Sequence, residues 1–446
     1  MNPTIGKAFL SLQRSFIVLA VTVVSCASLA LPVYSQKLSS ADRNRAKDML
    51  RTVRDEIKDK YFDPKFKGVD LDSVFNAANE KIESATSLGQ AFGIIAQAVM
   101  SLDDSHTVFY PPDRTLRAEY GWRMQMIGDK CFVTAVKPKS DAETKGLKVG
   151  DEILTIEGAK PTRKDLWKIN YYYNFISIRA GLSLSVKAPG ATEARKLDIA
   201  AKMEREFQVI GVNDYNRDIE RDSERQIENR FARVGNTMAW NMPTFSVDPA
   251  IVEGIMNGRS GQSQNLIIDL RGNGGGYVVT LEALAGFFVD EDTKIADYKA
   301  RKEMKPQMAK SKGKGVYRGR LVVLVDSQSG SASEIFARFI QINGKGVVLG
   351  DQSAGAVMMS RGEGLQWGTE RLTLYGMNLT RADVIMTDGK SLEHVGVTPN
   401  FYLRPTGLAL SRSEDPVLSE AFKLFGEDVT PEQAGKFFPF EWKYEK

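Results

Sequence analysis

Apolar positions in the first part of the chain recur at helical spacing. Met49, Val53, Ile57 and Tyr61 stand four apart, which lays one apolar stripe along a helix. Ser40 offers an N-cap and Asp63-Pro64 a stop, because a residue before proline is pushed out of helical backbone. Two more helices are expected near residues 71–82 and 87–102. The second runs into the polar turn Asp103-Asp104-Ser105-His106-Thr107, closed by Pro111-Pro112. The pattern then changes. Cys131–Val136 reads as a strand, and Gly146-Leu147, Gly150-Asp151 and Glu157-Gly158 punctuate a second β-rich stretch, glycine supplying the positive φ of tight turns. The strongly charged residues 204–233 read as an exposed helical connector. Beyond them, the apolar run Asn265–Leu270 enters the turn Arg271-Gly272-Asn273-Gly274-Gly275-Gly276 and a helix over 278–288. Leu321–Asp326 likewise enters Gly330-Ser331-Ala332-Ser333-Glu334 and a helix reaching about Ile342. Continuously apolar strands alternating with helices predict a parallel sheet covered on both faces. The chemistry of such sheets collects at the carboxyl ends of the strands.

The N-terminus adds a location. Lys7 and Arg14 precede the apolar run Phe16–Ala30, Pro32 breaks it, and Val33-Tyr34-Ser35 offers a cleavage site before Gln36. Residues 1–35 are therefore expected to be a signal peptide and the mature protein to be exported, periplasmic or extracellular. The run is too short to read as a membrane span. Membrane attachment would come only through a lipidated Cys26 in Val23-Val24-Ser25-Cys26, and plain cleavage is favoured because the apolar stretch continues past that residue. Cys26 and Cys131 are the only cysteines, so a core rather than a disulfide framework must hold the fold.

Length and charge narrow the class further. At 446 residues the chain has room for about three domains. A net charge of +4, dispersed along the chain, makes no case for nucleic acid, and the basic run Lys299–Arg320 reads as a solvated loop. Metal-ligand spacings are absent, and the turn at 272–276 lacks the Lys-Ser/Thr of a phosphate loop. No metal or cofactor is expected.

Ser331 carries two readings from spacing alone. Ser331-Ala332-Ser333-Glu334 spells a capping box, in which the hydroxyl merely satisfies a helix start. The same position, at a helix N-terminus beside a Gly-rich turn, suits a nucleophile whose oxyanion faces free N–H groups. Larger patterns weigh in here. The stretch from Lys145 to Gly158 resembles a PDZ domain. Together with Asp269-Leu270-Arg271, Gly330-Ser331-Ala332-Ser333-Glu334-Ile335 and Glu393-His394-Val395-Gly396-Val397-Thr398-Pro399, it makes the chain after the signal similar to the tail-specific, or C-terminal processing, serine peptidases and their tricorn-core relatives.

The resemblance implies an α/β protein with an N-terminal helical domain (36–115), an inserted β-rich PDZ domain (116–205), the connector (206–234), an α/β core (235–405) of the ClpP/crotonase-like kind that carries serine peptidase activity, and a C-terminal segment (406–446). It makes Ser331 the nucleophile, with Ala332 and Gly275 or Gly276 as oxyanion donors. Many such enzymes use a lysine twenty-five positions after the serine, where this chain has Ala356. Lys345 reads as a surface residue instead. The tricorn-like branch uses a histidine and a glutamate, which implies His106 as the base, Glu393 as its acidic partner and Ser105 as an orienting group. If Leu392-Glu393-His394 were extended, Glu393 and His394 would face opposite ways, and the motif favours Glu393.

The resemblance also implies protein or peptide substrates, met through their free C-termini in a PDZ groove whose carboxylate loop would lie at Gly121 and Trp122. Two rivals remain: an inert peptidase-like scaffold that binds chain ends, and a carrier of apolar ligands. Oligomeric state is not legible.

Overall fold

The computed structural model describes residues 38–112, 116–205, 228–260, 262–368 and 372–442. The leader, Cys26 and most of the charged connector lie outside the described residues. The chain opens with three helices, α1 (Ser40–Lys60), α2 (Leu71–Glu83) and α3 (Leu88–Met100). The cap of α1 is Ser39, not Ser40: Ser39 has extended backbone and its hydroxyl accepts from the Asp42 N–H, so Ser40 already lies in the helix. Met49, Val53, Ile57 and Tyr61 are buried together, as their spacing requires.

Strands β1 (Val108–Tyr110) and β2 (Leu116–Glu119) lead to an antiparallel sheet of β3 (Trp122–Ile127), β4 (Lys130–Val136), β5 (Glu152–Ile156), β6 (Gly181–Lys187) and β7 (Arg195–Ala200), in that spatial order. Helices α4 (Asp141–Thr144) and α5 (Leu166–Tyr171) accompany it, and β3 is an edge. The sheet buries Val133, Leu147, Ile153, Leu184 and Val186, with Trp122 and Met124 packed at the margin. β8 (Lys202–Arg205) pairs back with β2.

The core sheet runs β18-β15-β14-β11-β10-β9, with β9 (Arg230–Val234), β10 (Thr237–Asn241), β11 (Asn265–Asp269), β14 (Arg320–Val325), β15 (Val347–Gly350) and β18 (Phe401–Tyr402). All its pairings are parallel except β9 with β10. Alternate residues serve opposite faces. Trp240, Ile268 and Val323 point toward α6 (Pro249–Ile255), α7 (Val278–Ala285) and α8 (Ala332–Ile342). Ala239, Ile267, Val322 and Leu324 meet residues of the C-terminal helices. Those helices, α9 (Gly407–Ser411), α10 (Pro416–Lys423) and α11 (Pro431–Ala434), turn the C-terminal segment into a cover for the sheet through Val417, Leu418, Ala421, Phe422 and Ala434.

A further sheet joins the helical region to this core. β17 (Thr373–Met386) pairs along much of its length with β16 (Met358–Trp367), and also with β1 and with β12 (Thr293–Ala300), which carries β13 (Gln307–Ala309). Tyr375, Met377 and Leu379 of β17 complete the apolar cluster of the three N-terminal helices. Two sequence expectations are corrected. Residues 230–234, read as connector, form β9, because its residues pair register by register with β10. The basic run is not all solvated loop: β13 zips onto β12 and buries Gln307 and Ala309.

Candidate active site

Both Gly-rich turns sit at the carboxyl ends of neighbouring strands, one after β11 and one after β14. They are stitched together by main-chain groups. The Asn273 carbonyl accepts from the Gly330 N–H at 3.0 Å and from Ser333 Oγ at 2.9 Å, and Ser329 Oγ donates to the Leu270 carbonyl at 2.8 Å. The Asn273 side chain shapes its own turn: Nδ2 donates to the Met242 carbonyl and Oδ1 accepts from the Gly275 N–H, both at 2.9 Å. Gly275 has φ +103, and a Cβ there would lie 2.7 Å from Ser331 Cβ and 2.9 Å from the Ala332 nitrogen. Glycine is therefore needed both for the backbone and for the space above the first N–H of α8. That N–H has no acceptor within its own helix. Gly276, at φ +142, sits against Phe245 and Ser246 just as closely.

Ser331 precedes α8 with φ 52 and ψ −117, a conformation that L residues adopt at a cost of roughly 1–3 kcal/mol. Its N–H donates to the Ala356 carbonyl at 2.9 Å. The position at which lysine-type relatives carry their base thus lies beside Ser331, and it is an alanine. Lys345 is remote in role, paired with Asp290 on the surface.

His106 arrives from the turn after α3. Asp104 fixes that turn: its Oδ1 accepts from the His106 N–H at 2.9 Å and from Thr380 Oγ1 at 2.6 Å, and its Oδ2 accepts from the Tyr61 hydroxyl at 2.9 Å. Burial and the Asp104 carboxylate push the Tyr61 phenol well above its ordinary range, so it stays a donor. Glu393 accepts from the Ser105 N–H at 2.8 Å, from Ser105 Oγ at 2.7 Å and from the Val357 N–H at 2.9 Å. Ser105 Oγ is also 2.8 Å from His106 Nδ1.

These contacts set the imidazole tautomer. A hydroxyl has one proton, and here it goes to a carboxylate that only accepts, so Ser105 must receive the Nδ1–H and His106 Nε2 is left with its lone pair. Desolvation lowers the pKa of the ring below its ordinary value, outweighing the pull of Glu393 and Asp104. Ser105 therefore stands between base and carboxylate as a relay. Ser331 Oγ and His106 Nε2 are not directly hydrogen-bonded in this structure. The loop 353–357 links the two segments, binding Ser331 through Ala356 and Glu393 through Val357.

One sequence argument fails on geometry. Residues 392–395 are not extended but form a turn with His394 at φ 62. Both side chains thus lie on one side, with His394 Nε2 3.6 Å from Glu393 Oε1 and 2.9 Å from the Asp103 carbonyl. Glu393 still faces Ser105. Asp104, Tyr61, Thr380 and Val357 carry no site role in the sequence, where Tyr61 reads only as part of the apolar stripe of α1. The Asp before Ser-His was the available signal for Asp104, whereas the others meet the site only through β17 and the loop 353–357.

Gly121 has φ +74, and a Cβ there would strike Ser140 at 2.6 Å. Trp122 starts the edge strand β3. That edge rests on the loop leading to Ser331. Gln125 Nε2 donates to Asp326 at 2.6 Å, Ser327 Oγ to the Met126 carbonyl at 2.5 Å, and Gln328 Nε2 to the Met124 carbonyl at 3.4 Å. Among the described residues no group of metal-ligating side chains forms a site, and no helix is long and apolar enough to cross a membrane.

Residues 240–403 match peptidase family S41. The carboxy-terminal processing protease CtpB of Bacillus subtilis is 26% identical over 357 residues, covering 78% of this chain and 66% of that protein. The tail-specific protease of Haemophilus influenzae is 24% identical over 384 residues, covering 81% of this chain and 53% of that protein. The chain thus spans from about half to just under two-thirds of the length of these two relatives. In fold it resembles mature CPAF complexed with lactacystin, with a TM-score of 0.63 at 15% identity over 83% of this chain and 96% of that one. It also resembles the photosystem II D1 C-terminal processing protease, with a TM-score of 0.52 at 18% identity over 89% of this chain and 100% of that one.

Proposed function

We propose that this chain, whose residues 240–403 match peptidase family S41, is an exported endopeptidase that cuts protein substrates with Ser331, His106, Ser105 and Glu393. The observation that carries the assignment is the relay from Glu393 through Ser105 to His106 Nδ1. His106 Nε2 takes the proton of Ser331 as the hydroxyl attacks the scissile carbonyl, and Ser105 and Glu393 hold the charged imidazole. The oxyanion forms in the space that Gly275 leaves open, facing the Ala332 N–H and the Gly276 N–H; Gly275, expected as an alternative donor, has its N–H held by Asn273 Oδ1. Collapse returns the proton to the leaving amine, and water, activated by the same base, releases the acyl group. Closure of the gap between Ser331 Oγ and His106 Nε2 belongs to substrate binding, because catalytic hydrogen bonds tighten in the Michaelis complex.

The sheet β3–β7 acts in this reading as a PDZ domain. A substrate chain end would dock at the start of β3, its carboxylate near Gly121 and Trp122. Because β3 also bears on Asp326, Ser327 and Gln328, occupancy of the edge would be felt at Ser331.

A second reading, an inert scaffold that only binds chain ends, draws on Ala356 and the open Ser331–His106 gap. A fluorophosphonate probe separates the two. Activated Ser331 reacts in the parent and not in Ser331→Ala, whose turnover falls by up to roughly a million-fold. A parent that neither labels nor cleaves, or a Ser331→Ala variant that cleaves normally, ends the peptidase reading.

A further inference from the structure

Glu334 stands three residues after Ser331, where a capping box needs only a hydrogen-bond acceptor at the helix start. Its side chain is nonetheless fully buried. Its Oε2 accepts from the Ser331 N–H at 3.0 Å and the Ala356 N–H at 2.9 Å. Its Oε1 accepts from Ser353 Oγ at 2.6 Å and the Gly355 N–H at 2.7 Å. Burial pushes this carboxyl up to about 7, against four hydrogen bonds that pull it down. Taking a carboxylate out of water costs more than a helix cap returns, and a serine or glutamine could cap α8 without that cost.

We propose that Glu334 is a positioning residue of the reaction, holding Ser331 and the loop 353–357 in one register so that nucleophile and Glu393 keep their relative placement. The proposal rests on the reading of Ser331 as the nucleophile. The loop is the link between the two halves of the site: Val357 donates to Glu393, the Gly355 carbonyl accepts from the His394 N–H at 2.8 Å, and Ser353 Oγ accepts from the Val397 N–H at 2.5 Å. Glu334 grips the same loop at residues 353, 355 and 356. Loosening that grip lets Ser331, already in strained backbone, drift from the segment that bears Glu393.

Glu334→Gln tests this, since it keeps the shape but offers one acceptor oxygen to two pairs of donors. The expected result is a fall in kcat of about a hundredfold per phosphonate-titrated site with KM within about twofold, because a small misplacement is enough for such a loss. A merely structural role would lower the titratable fraction and leave the rate per site unchanged, and that outcome overturns the proposal. Combined with Glu393→Gln, the loss should fall well short of the product of the single losses, since both carboxylates hold one loop. Multiplying losses overturn it too. If Glu334→Gln does not fold, Ser353→Ala, which removes one donor, should lower kcat severalfold at unchanged KM, and full activity of that variant counts against the proposal. A dead Ser331→Ala beside a fully active Glu334→Gln rejects this inference alone. A Ser331→Ala variant that cleaves normally rejects the nucleophile and this inference with it.

Discussion

In the proposed mechanism Ser105 does at the residue scale what a carboxylate usually does by direct contact. It passes the orienting hydrogen bond from Glu393 to His106 and so selects the tautomer that leaves Nε2 as a base. Ser105→Ala should lower kcat by about 10²–10⁴-fold, the scale of losing the correct tautomer, while Ser105→Thr, which keeps the hydroxyl, retains most activity. Steady-state kinetics on the two variants decides it, and equal losses would deny the relay. The pH dependence follows from the same ring. Desolvation depresses the His106 pKa, so the neutral base persists on the acid side of its ordinary value of about 6.5. The acid limb of kcat/KM should lie below that value and be unmoved by Lys345→Ala. A limb that shifts with Lys345 would restore a lysine base. Gly275→Ala offers a third check: its methyl would occupy the space between Ser331 Cβ and the Ala332 nitrogen. Per folded molecule, checked by circular dichroism, the variant should lose at least about a hundredfold in kcat, the scale of losing an oxyanion donor, because its methyl blocks the hole.

Among elements, β3 carries the proposed recognition of chain ends. Strands at an edge present unpaired N–H and C=O groups, and the Met124 and Met126 carbonyls of β3 are met by Gln328 and Ser327 of the loop before Ser331. Peptides with a free apolar C-terminus should be cut faster than the same peptides amidated. Gln125→Ala, which releases β3 from Asp326, should narrow that difference while leaving amidated peptides nearly unaffected. Matched kcat/KM measurements on both peptide forms test this, and equal values in the parent protein would rule out carboxylate recognition. The sequence marked this region through its glycine turns, yet the bearing of β3 on 326–328 joins residues about two hundred positions apart. Local pattern carries no information on such a contact.

For the whole molecule, the proposed base and nucleophile belong to different regions, and β17 with Glu393 holds those regions together. Asp104 is the bolt: it satisfies Tyr61, Thr380 and the His106 N–H inside a buried junction. Asp104→Ala should cost roughly 2–4 kcal/mol of stability, because it orphans buried donors, and should abolish activity by freeing the His106 turn. Urea unfolding monitored alongside turnover checks both, and a variant of parental stability would show that the junction is held elsewhere.

What the sequence alone determined are the features written in local order: the helical stripe of α1, the apolar runs of β11 and β14 and the turns that need glycine, legible because periodicity and turn chemistry act over a few residues; the Ser, His and Glu motifs were legible only through their resemblance to a peptidase family. Its local readings failed where pairing decided the outcome. Residues 230–234 became a strand only because β10 lay beside them, and Glu393-His394 turned rather than extended because residues 353–357 hold that segment. Only the tertiary structure decided that Ser105 stands between His106 and Glu393, that Ala356 lies against Ser331, and that Glu334 is buried rather than a surface cap. Each of these is a hydrogen bond or a burial set by segments distant in the chain, and such pairings arise from the packing of whole sheets rather than from the preferences of neighbouring residues.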